Sequence, residues 1–427
     1  MPKPIPELGY HYYPDDRHFT EKDLELWLPI LENLGANWLT IRTSHRRAIP
    51  EGFIRGLTAA GIHPVLHITS PLGSIQASDL EPLFRVYARW GVRHVILFDR
   101  PNLQIQWGSD GWSRKDLVER FLDLYLPILN AQQSSGLVPI LPPLEPGGDY
   151  WDTSFLEGLL YAISRRSQRT LLDQLSLSMY AWTFGKALDW GAGGPARWVE
   201  THPYHTPEGS QDHLGLRIMD WYAYIAEGVT GRNSPLLVIA GGEAPIHQGS
   251  QFTAEQHAER NGSIFRILEA GELPPSLKCF CFYVLATEPT HPHASAAWFP
   301  QEQDPLPAVK QLQRLVASTK KGSRKPLRHY VLLPDPSVKD VSIDWEDLAT
   351  RIRKTKPVIG FSTEEAQLAQ QVTLVGGEEL TSSSIEKHLR EVGCMVERIA
   401  ESQKPFASDE AVDLTGFMSM FVGENHA

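Results

Sequence analysis

The fold of this chain is constrained most by a regular alternation of short apolar segments and longer amphipathic ones. Eight strand-like segments occur, with helix-like segments between them. Several of the strand-like segments are almost continuously apolar, which is typical of parallel strands that are buried on both faces. The eight segments are residues 8–14, 37–44, 63–70, 94–101, 137–146, 175–182, 235–245 and 277–287.

The segments between them carry helix signals. Thr20 is a predicted N-cap with Asp23 three residues later, apolar residues then recur at helical spacing, and Gly35 ends the pattern. Eight such strand–helix units predict an α/β fold, a (β/α)8 TIM barrel. The competing fold is a doubly wound open sheet, which would carry a glycine-rich phosphate turn after its first strand. The stretch GYHYYPDD at residues 9–16 is not such a turn.

The composition changes after the barrel pattern. Residues 1–317 are predicted to form the barrel, and the basic, turn-rich residues 318–326 a linker. Residues 327–404 are predicted to form a small α/β domain, with a helix around residues 344–356. Residues 405–427 are predicted to be a poorly ordered tail.

The chain is acidic overall. Its 40 basic and 51 acidic residues give a net charge of −11, which disfavours a nucleic-acid groove and suits a neutral or cationic ligand better than an anionic one. Three cysteines cannot build a disulfide framework, so we expect buried, reduced thiols and a reducing compartment. The absence of a signal-peptide pattern predicts the cytoplasm, although the cell surface stays open as an alternative, and the sequence predicts no membrane span.

In a (β/α)8 barrel, functional residues collect at the carboxyl ends of the strands. The predicted strand ends are rich in aromatic rings, which stack on sugar rings, and in carboxylates and arginines, which bind hydroxyl groups. This combination predicts a carbohydrate ligand. No Cys/His spacing typical of zinc is present, so neither a metal nor a cofactor is predicted. The candidate residues are His11, Arg42, His67, Asp99, Arg100, Asn102, Glu145, Asp149, Ser178, Tyr180, Trp182, Glu243 and Trp298.

These strand ends resemble those of the retaining clan-A (β/α)8 glycoside hydrolases. The resemblance covers residues 7–317 and depends on strand order and on strand-end residues. It is carried by the stretches IPELGYHYYP, LENLGANWLTIR, DRPN, LVPILPPLEPGGDYWD, SLSMYAWTFGKALDWGAGGP and PLLVIAGGEAP.

The resemblance implies hydrolysis of O-glycosyl bonds with retention, and it implies roles for individual residues. Glu243 stands at the nucleophile position at the end of the seventh strand. Arg42 and Tyr180 stand at the positions that support the nucleophile, while Ser178 replaces a histidine often found there. The alternative is that Glu243 pairs with Arg42 only to stabilise the barrel.

The proton donor departs from the family pattern. A retaining enzyme needs two carboxyl groups about 5–5.5 Å apart, one to attack and one to deliver a proton. Arg100 occupies the donor position, and an arginine does not give up its proton at neutral pH because its pKa exceeds about 12. Asp99 is the predicted replacement, with Glu145 or Asp149 as alternatives.

The leading prediction is therefore a glycoside-hydrolase-like protein that acts on a carbohydrate. The alternative is a catalytically inactive carbohydrate-binding or assembly protein, because of Arg100. In the small domain, residues 372–400 resemble one copy of a type-2 cell-wall-binding repeat, with Gly376, Gly377 and Arg398 among the matching residues. That resemblance implies a cell-wall or surface glycan as partner, and a domain for packing or interaction is the alternative. The sequence predicts no oligomeric state.

Overall fold

The chain forms two compact units, Met1–Arg314 and Leu315–Ala427. The predicted helix around residues 344–356 and the predicted tail, residues 405–427, lie outside the described residues. The computed structural model describes residues 5–166, 168–243, 253–300, 305–323, 327–334, 357–377, 382–392 and 394–399.

The first unit is the predicted (β/α)8 barrel, and each of the eight predicted strand segments contains a strand. All eight strands are parallel and lie in the order β4-β3-β2-β1-β8-β7-β6-β5, so the first and last strands pair and the sheet curls into a nearly closed barrel. The strands are β1 Glu7–His11, β2 Trp38–Thr43, β3 His63–Ile68, β4 His94–Leu97, β5 Ile140–Leu141, β6 Ser176–Trp182, β7 Leu236–Gly242 and β8 Leu277–Phe282.

Helices follow the strands along the chain. The capping box predicted at the first helix is confirmed, because Thr20 Oγ1 accepts from the Asp23 N–H at 3.2 Å while the Asp23 carboxylate accepts from the Thr20 N–H at 2.7 Å. The helices are α1 Glu21–Asn33, α2 Glu51–Ala59, α3 Ala77–Arg89, α4 Gly108–Trp112, α5 Leu117–Ser134, α6 Asp152–Arg165, α7 Arg169–Gln174, α8 Gly194–Arg197, α9 Ile218–Thr230, α10 Ala254–Ala270 and α11 Pro307–Ser323.

The inside of the barrel is filled by alternate residues of the strands, since every second side chain of a strand points to the same face. Cys279 and Cys281 belong to this core and are free thiols, as predicted. At Gly9 a Cβ would lie 2.7 Å from Sγ of Cys281, so only glycine fits there. The other core residues are Trp38, Val65, Ile96, Ile140, Leu237 and Ile239.

The seam between β4 and β5 is bridged by a side chain. Gln132, on α5, is fully buried; its Nε2 donates to O of Val95 at 2.7 Å and its Oε1 accepts from N of Ile140 at 3.2 Å. One backbone bond lies just before the two strands, from Val138 N to Arg93 O at 2.8 Å. The amide group of Gln132 thus takes the place of part of a strand ladder.

The second unit contains a parallel sheet of four strands in the order β10-β9-β11-β12. The helix α11 continues through Ser323 into the predicted linker, because no proline follows Pro307 within it. Within the described ranges, no helix combines the length and the hydrophobicity that a bilayer requires. The remaining elements are β9 Leu327–Leu332, β10 Val358–Gly360, α12 Thr363–Ala366, β11 Ala369–Val375, α13 Ser383–Glu391 and β12 Met395–Ile399.

Arg398 connects three elements of the second unit. Its Nε and Nη2 bond Oε2 of Glu386 on α13 at 3.0 and 2.9 Å, and its Nη1 donates to the carbonyl oxygens of Gly376 and Gly377 after β11 at 3.0 and 3.1 Å. Three of the residues that carry the resemblance to a cell-wall-binding repeat thus hold β11, α13 and β12 together. Wall binding itself stays a prediction.

Candidate functional site

The loop after β4 forms the centre of the site at the carboxyl ends of the barrel strands. Phe98 and Arg100 have φ angles of +68° and +48°, a region that residues other than glycine rarely adopt. The N–H of Phe98 donates to O of Ile68 at 2.9 Å, and that of Arg100 donates to O of Pro143 at 3.0 Å. Neighbouring strands therefore fix an unusual backbone, and such backbones concentrate at functional sites.

Arg100 joins two carboxylates that come from different loops. Its Nε donates to Oδ2 of Asp99 at 3.0 Å, and its Nη1 donates to Oε2 of Glu145 at 3.3 Å. Burial alone would lower the pKa of Arg100, but the charges of Asp99 and Glu145, together with Tyr180, raise it above its ordinary value. The guanidinium therefore stays charged and neutralises much of the charge of both acids.

Tyr180, at the end of β6, completes this group. Its hydroxyl donates to Oδ1 of Asp99 at 2.7 Å. Burial, and then the charge of Asp99, raise the pKa of Tyr180 well above 10, so the hydroxyl keeps its proton and acts as a donor. The two oxygens of Asp99 are thus bound by Tyr180 on one side and by Arg100 on the other.

Glu243 is bound outside this group. Its Oε2 accepts from Oγ1 of Thr183 at 2.7 Å and from Nε of Arg260 at 3.2 Å. Arg260 lies on α10, which packs outside the barrel strands, and its Nη2 also donates to O of Lys186 at 2.6 Å. The carboxylate of Glu243 therefore contacts the β6 loop and a helix.

Arg42 and Tyr180, the residues expected to orient Glu243, have other hydrogen-bond partners. Tyr180 binds Asp99, and Nη2 of Arg42 donates to Oγ1 of Thr69 at 3.0 Å. The pairing of β7 with β8 is irregular before Gly241, and Gly242 has a φ of +112°, so simple strand alternation does not predict the direction of the residue that follows. The roles of Arg42 and Tyr180 toward Glu243 stay a prediction.

The floor of the site on the side of β1 and β8 is made of uncharged rings. His11 is only 5% exposed, its ring lies 5.0 Å from that of Tyr283, and the hydroxyl of Tyr283 lies 2.6 Å from Nδ1 of His293. Burial, and then the charge of Arg42, hold the pKa of His11 well below 6.5. Burial also raises the pKa of Tyr283 to about 12. Both groups are neutral at pH 7.

Sequence reasoning missed Tyr283, and it favoured a solvated loop position for His293, whose Nδ1 instead bonds the Tyr283 hydroxyl. Tyr283 directly follows β8, so a shorter estimate of that strand would have placed it among the strand ends. His67, at the end of β3, is buried, and its Nε2 lies 2.8 Å from O of Phe98. Burial lowers the pKa of His67, so a neutral imidazole donates to the strained loop.

Tyr180 and Trp182 form an aromatic wall beside this floor. Their rings are stacked with centroids 5.8 Å apart and an interplanar angle of 15°, and Trp182 meets Tyr283 edge-on at 5.5 Å. Both wall residues are half-buried, so part of each ring faces solvent. We use the word cup for the group of side chains at the carboxyl ends of the strands formed by Tyr180, Trp182, Arg100, Arg42, His11 and Tyr283.

Two predicted ligand-binding residues have no exposed surface. Trp298 packs against Tyr10 at 5.3 Å and against His257 at 5.8 Å. Asn102 donates from Nδ2 to the carbonyl oxygens of Glu145 and Tyr150, both at 2.9 Å, and its Oδ1 accepts from the N–H of Glu145 at 2.8 Å. Both side chains are therefore buried among other residues of the barrel and are not available to a ligand.

Two further strand-end candidates are used in local contacts. Asp149 is exposed, and its Oδ2 accepts from the N–H of Gln104 at 2.7 Å. Ser178 is buried, and its Oγ donates to O of Leu141 at 2.6 Å. The ends of β4, β5 and β6 are thus joined by the contacts of Arg100 with Asp99 and Glu145 and of Tyr180 with Asp99.

Within the described ranges, one trio of side chains could hold a metal ion. Ligand atoms of Asp15, His18 and Glu288 lie within 4.8 Å of one another, in the loops after β1 and β8. His18 also stacks on Tyr13 with centroids 3.7 Å apart, and Glu288 is exposed. The imidazole therefore has a packing role that needs no ion.

The cup and the strand order define the chain as a (β/α)8-barrel protein. No protein-family model matches the chain, and no curated protein matches it. Among solved structures, a glucosidase from Croceicoccus marinus is 13% identical with a TM-score of 0.48, over 74% of this chain and 68% of that one.

Two other glycoside hydrolases are similar to a comparable degree. An exo-β-1,4-mannosidase from an Opitutaceae bacterium is 12% identical with a TM-score of 0.44, over 98% of this chain and 80% of that one. An endo-β-1,3-glucanase from Sorangium cellulosum is 12% identical with a TM-score of 0.43, over 72% of this chain and 97% of that one. At these values the likeness concerns the general architecture.

Proposed function

We propose that the barrel unit binds a saccharide in the cup without hydrolysing it by the retaining mechanism. The proposal is supported by the partly exposed wall of Tyr180 and Trp182, since aromatic rings of this kind stack on the apolar faces of sugar rings. It is also supported by the charged groups of Arg42, Arg100 and Glu145 around that wall, which suit hydroxyl groups.

The observation that carries this choice is the position of Arg100. Its guanidinium stands in place of a proton donor and binds both acids that face the cup, Asp99 and Glu145. A general acid must hold a proton that it can give to the leaving group, and the oxygens of both acids are instead used to bind the guanidinium. Glu243, the expected nucleophile, is bound by Thr183 and Arg260 instead.

A second candidate function is hydrolysis by Asp99 and Glu145. It is favoured by the bond from the Tyr180 hydroxyl to Asp99, which orients one carboxylate, and by the shared guanidinium, which brings a second carboxylate close. A ligand that displaced Arg100 would leave two acids facing the same space. Hydrolysis therefore requires that Arg100 is displaced, whereas saccharide binding does not.

The test measures binding by calorimetry and turnover with aryl glycosides whose leaving groups need no acid. We expect a set of oligosaccharides to include a ligand that binds the wild type, and Trp182→Ala to weaken its binding about tenfold or more because a stacking face is lost. Trp90→Ala is the matched control, since Trp90 is a half-buried tryptophan before β4, at the opposite end of the barrel. We expect it to bind like the wild type.

The turnover measurements separate the candidates. We expect no cleavage of activated aryl glycosides by the wild type. Cleavage that Asp99→Asn or Glu145→Gln abolishes would support the second candidate. Cleavage that Glu243→Gln alone abolishes would restore the family mechanism and contradict our proposal, and equal binding losses in the two tryptophan variants would place the ligand elsewhere.

A further inference from the structure

Arg42, at the end of β2, has a guanidinium with unused donors. Its Nη2 donates to Oγ1 of Thr69, and no ion pair to an acid joins it among the residues that the structure describes. Arg100 and Arg260, by contrast, are paired with acids. An arginine presents five N–H donors in a planar fork that matches the two oxygens of a carboxylate. Most of that fork is available at Arg42.

His11 lies on β1, next to β2. It pairs with Thr40, two residues before Arg42, so the side chains of His11 and Arg42 point to the same face of the sheet. His11 is only 5% exposed, and its Nδ1 makes no hydrogen bond within the described ranges. Buried polar atoms are nearly always hydrogen-bonded in native proteins, so this nitrogen can take a ligand group as its partner.

The charges around the cup are mostly paired. Arg100 binds both Asp99 and Glu145, so the guanidinium offsets much of the charge of these acids. Arg42 makes no such ion pair among the described residues. An anionic group of a ligand is therefore attracted to the side of the cup that contains Arg42, His11 and Tyr283.

We propose that the saccharide bound in the cup carries a carboxylate, as in a hexuronic acid, and that Arg42 and His11 are its direct ligands. The inference depends on the proposed function, because it names the class of sugar that the same cup binds. A carboxylate offers two oxygens to the Arg42 fork and can accept a further bond from an imidazole N–H.

The acidic net charge of the chain does not oppose this assignment. Charges at a protein surface are screened over a Debye length of about 8 Å at physiological ionic strength, whereas partly buried charges are screened much less. The half-buried Arg42 therefore outweighs distant surface acids. The preference for a neutral or cationic ligand inferred from net charge holds for the surface as a whole, and the cup departs from it.

The experiment compares matched probes by calorimetry. The acidic probes are tetrasaccharides of galacturonic, glucuronic and mannuronic acid, and the neutral probes are the same compounds with their carboxyl groups reduced to alcohols. We expect at least one acidic probe to bind the wild type about tenfold or more tightly than its reduced counterpart. In Arg42→Gln the preference should fall to about twofold or less, with the neutral probe bound as before.

Two further variants distinguish a specific contact from general charge. Arg46→Gln removes the same charge from an exposed position in the loop that follows β2 and should keep the preference. Arg42→Lys keeps the charge without the fork and should give an intermediate ratio. If Arg42→Gln does not fold, the ratio of acidic to neutral probe binding in the wild type and in Arg42→Lys still tests the inference.

Each remaining outcome counts against the inference. Equal binding of acidic and reduced probes would overturn the carboxylate assignment and leave saccharide binding intact. An equal loss of preference in Arg46→Gln would show non-specific attraction, and tighter binding of sulfated tetrasaccharides would replace the carboxylate by a sulfate. Absence of binding by every probe would contradict this inference and the proposed function together.

Discussion

Arg100 determines what the acids of the cup can do. The same loop with a carboxylic acid at this position would present a proton donor, but a guanidinium has no proton to give at neutral pH. It also binds Asp99 and Glu145, so one residue type changes two neighbours from candidate catalysts into partners of an ion pair. In the proposed function, the charge of this single side chain is what favours saccharide binding over hydrolysis.

Burial decides the charge of the histidines near the cup. His257, on α10 beneath Trp298, is fully buried, and desolvation lowers its pKa to about 4. In the unfolded chain a histidine has a pKa of about 6.5. The unfolded chain therefore binds more protons between these values, and stability falls as the pH falls from about 6.5 to 4.

We predict that His257→Gln weakens this pH dependence. At 1.36 kcal/mol per pKa unit, His257 accounts for up to about 3 kcal/mol of the unfolding free energy that is lost between pH 6.5 and 4. Urea unfolding followed by tryptophan fluorescence, at several pH values, measures the slope. His205→Gln, at an exposed position, is the control and should keep the wild-type slope. Equal slopes in His257→Gln and the wild type would show that this histidine is not held neutral.

At the scale of elements, the proline-rich β5 segment explains the seam in the barrel. Pro139, Pro142 and Pro143 have no N–H to donate to a neighbouring strand, so a regular ladder with β4 cannot form there. Gln132 supplies one donor and one acceptor from α5 in its place. A buried polar side chain thus replaces backbone bonds that the prolines exclude.

We predict that Gln132→Leu costs roughly 2–4 kcal/mol of unfolding free energy. The substitution leaves the buried Val95 carbonyl and the buried Ile140 N–H unsatisfied, at about 1–3 kcal/mol each. Gln133→Leu is the control, because the Gln133 amide bonds the exposed Gln174 side chain. Chemical denaturation of both variants is the measurement, and equal losses would mean that the seam does not depend on Gln132.

The end of β7 shows how an irregular element moves a functional residue. Simple alternation along residues 235–245 directs Glu243 toward the axis of the barrel. The irregular pairing before Gly241 and the positive φ of Gly242 interrupt that alternation, and Glu243 bonds Thr183 and Arg260. β-Bulges and related irregularities commonly re-aim side chains next to functional sites.

At the scale of the whole molecule, the chain forms two compact units. Each has its own buried core, and eleven of the twelve tryptophans precede residue 315. Tryptophan fluorescence therefore reports mainly on the barrel, while hydrogen exchange in residues 327–399 reports on the second unit. The two probes allow the stability of each unit to be followed in the full chain.

We predict that Arg398→Ala destabilises the second unit by roughly 2–4 kcal/mol, because it leaves two carbonyl groups without their donor and removes the less exposed of the two arginines that bind Glu386. The Arg398 side chain is 15% exposed. Arg390→Ala is the control, since Arg390 bonds the same Glu386 but is 59% exposed, and exposed pairs contribute about 0–1 kcal/mol. Faster hydrogen exchange in β11 and β12 is expected for Arg398→Ala alone, with the barrel transition unchanged. Equal effects in both variants would argue against the bridging role.

The sequence by itself determined the barrel, its strand order and the set of residues at the strand ends. Hydrophobic periodicity, caps and turn residues are local signals, and each is set by the next few residues along the chain. For that reason the eight strands and the capping box of α1 were predictable. The sequence also identified Asp99, Arg100, Glu145 and Tyr180 as candidates before their contacts were known.

Only the tertiary structure decided how those residues are paired. Arg100 meets Glu145 from 45 positions away, Tyr180 meets Asp99 from 81, and Glu243 meets Thr183 from 60. Such contacts depend on side-chain directions, which change wherever a strand is irregular or φ is positive. They also depend on burial, which removed Asn102 and Trp298 from the surface. Local patterns cannot encode distances between segments that only folding brings together.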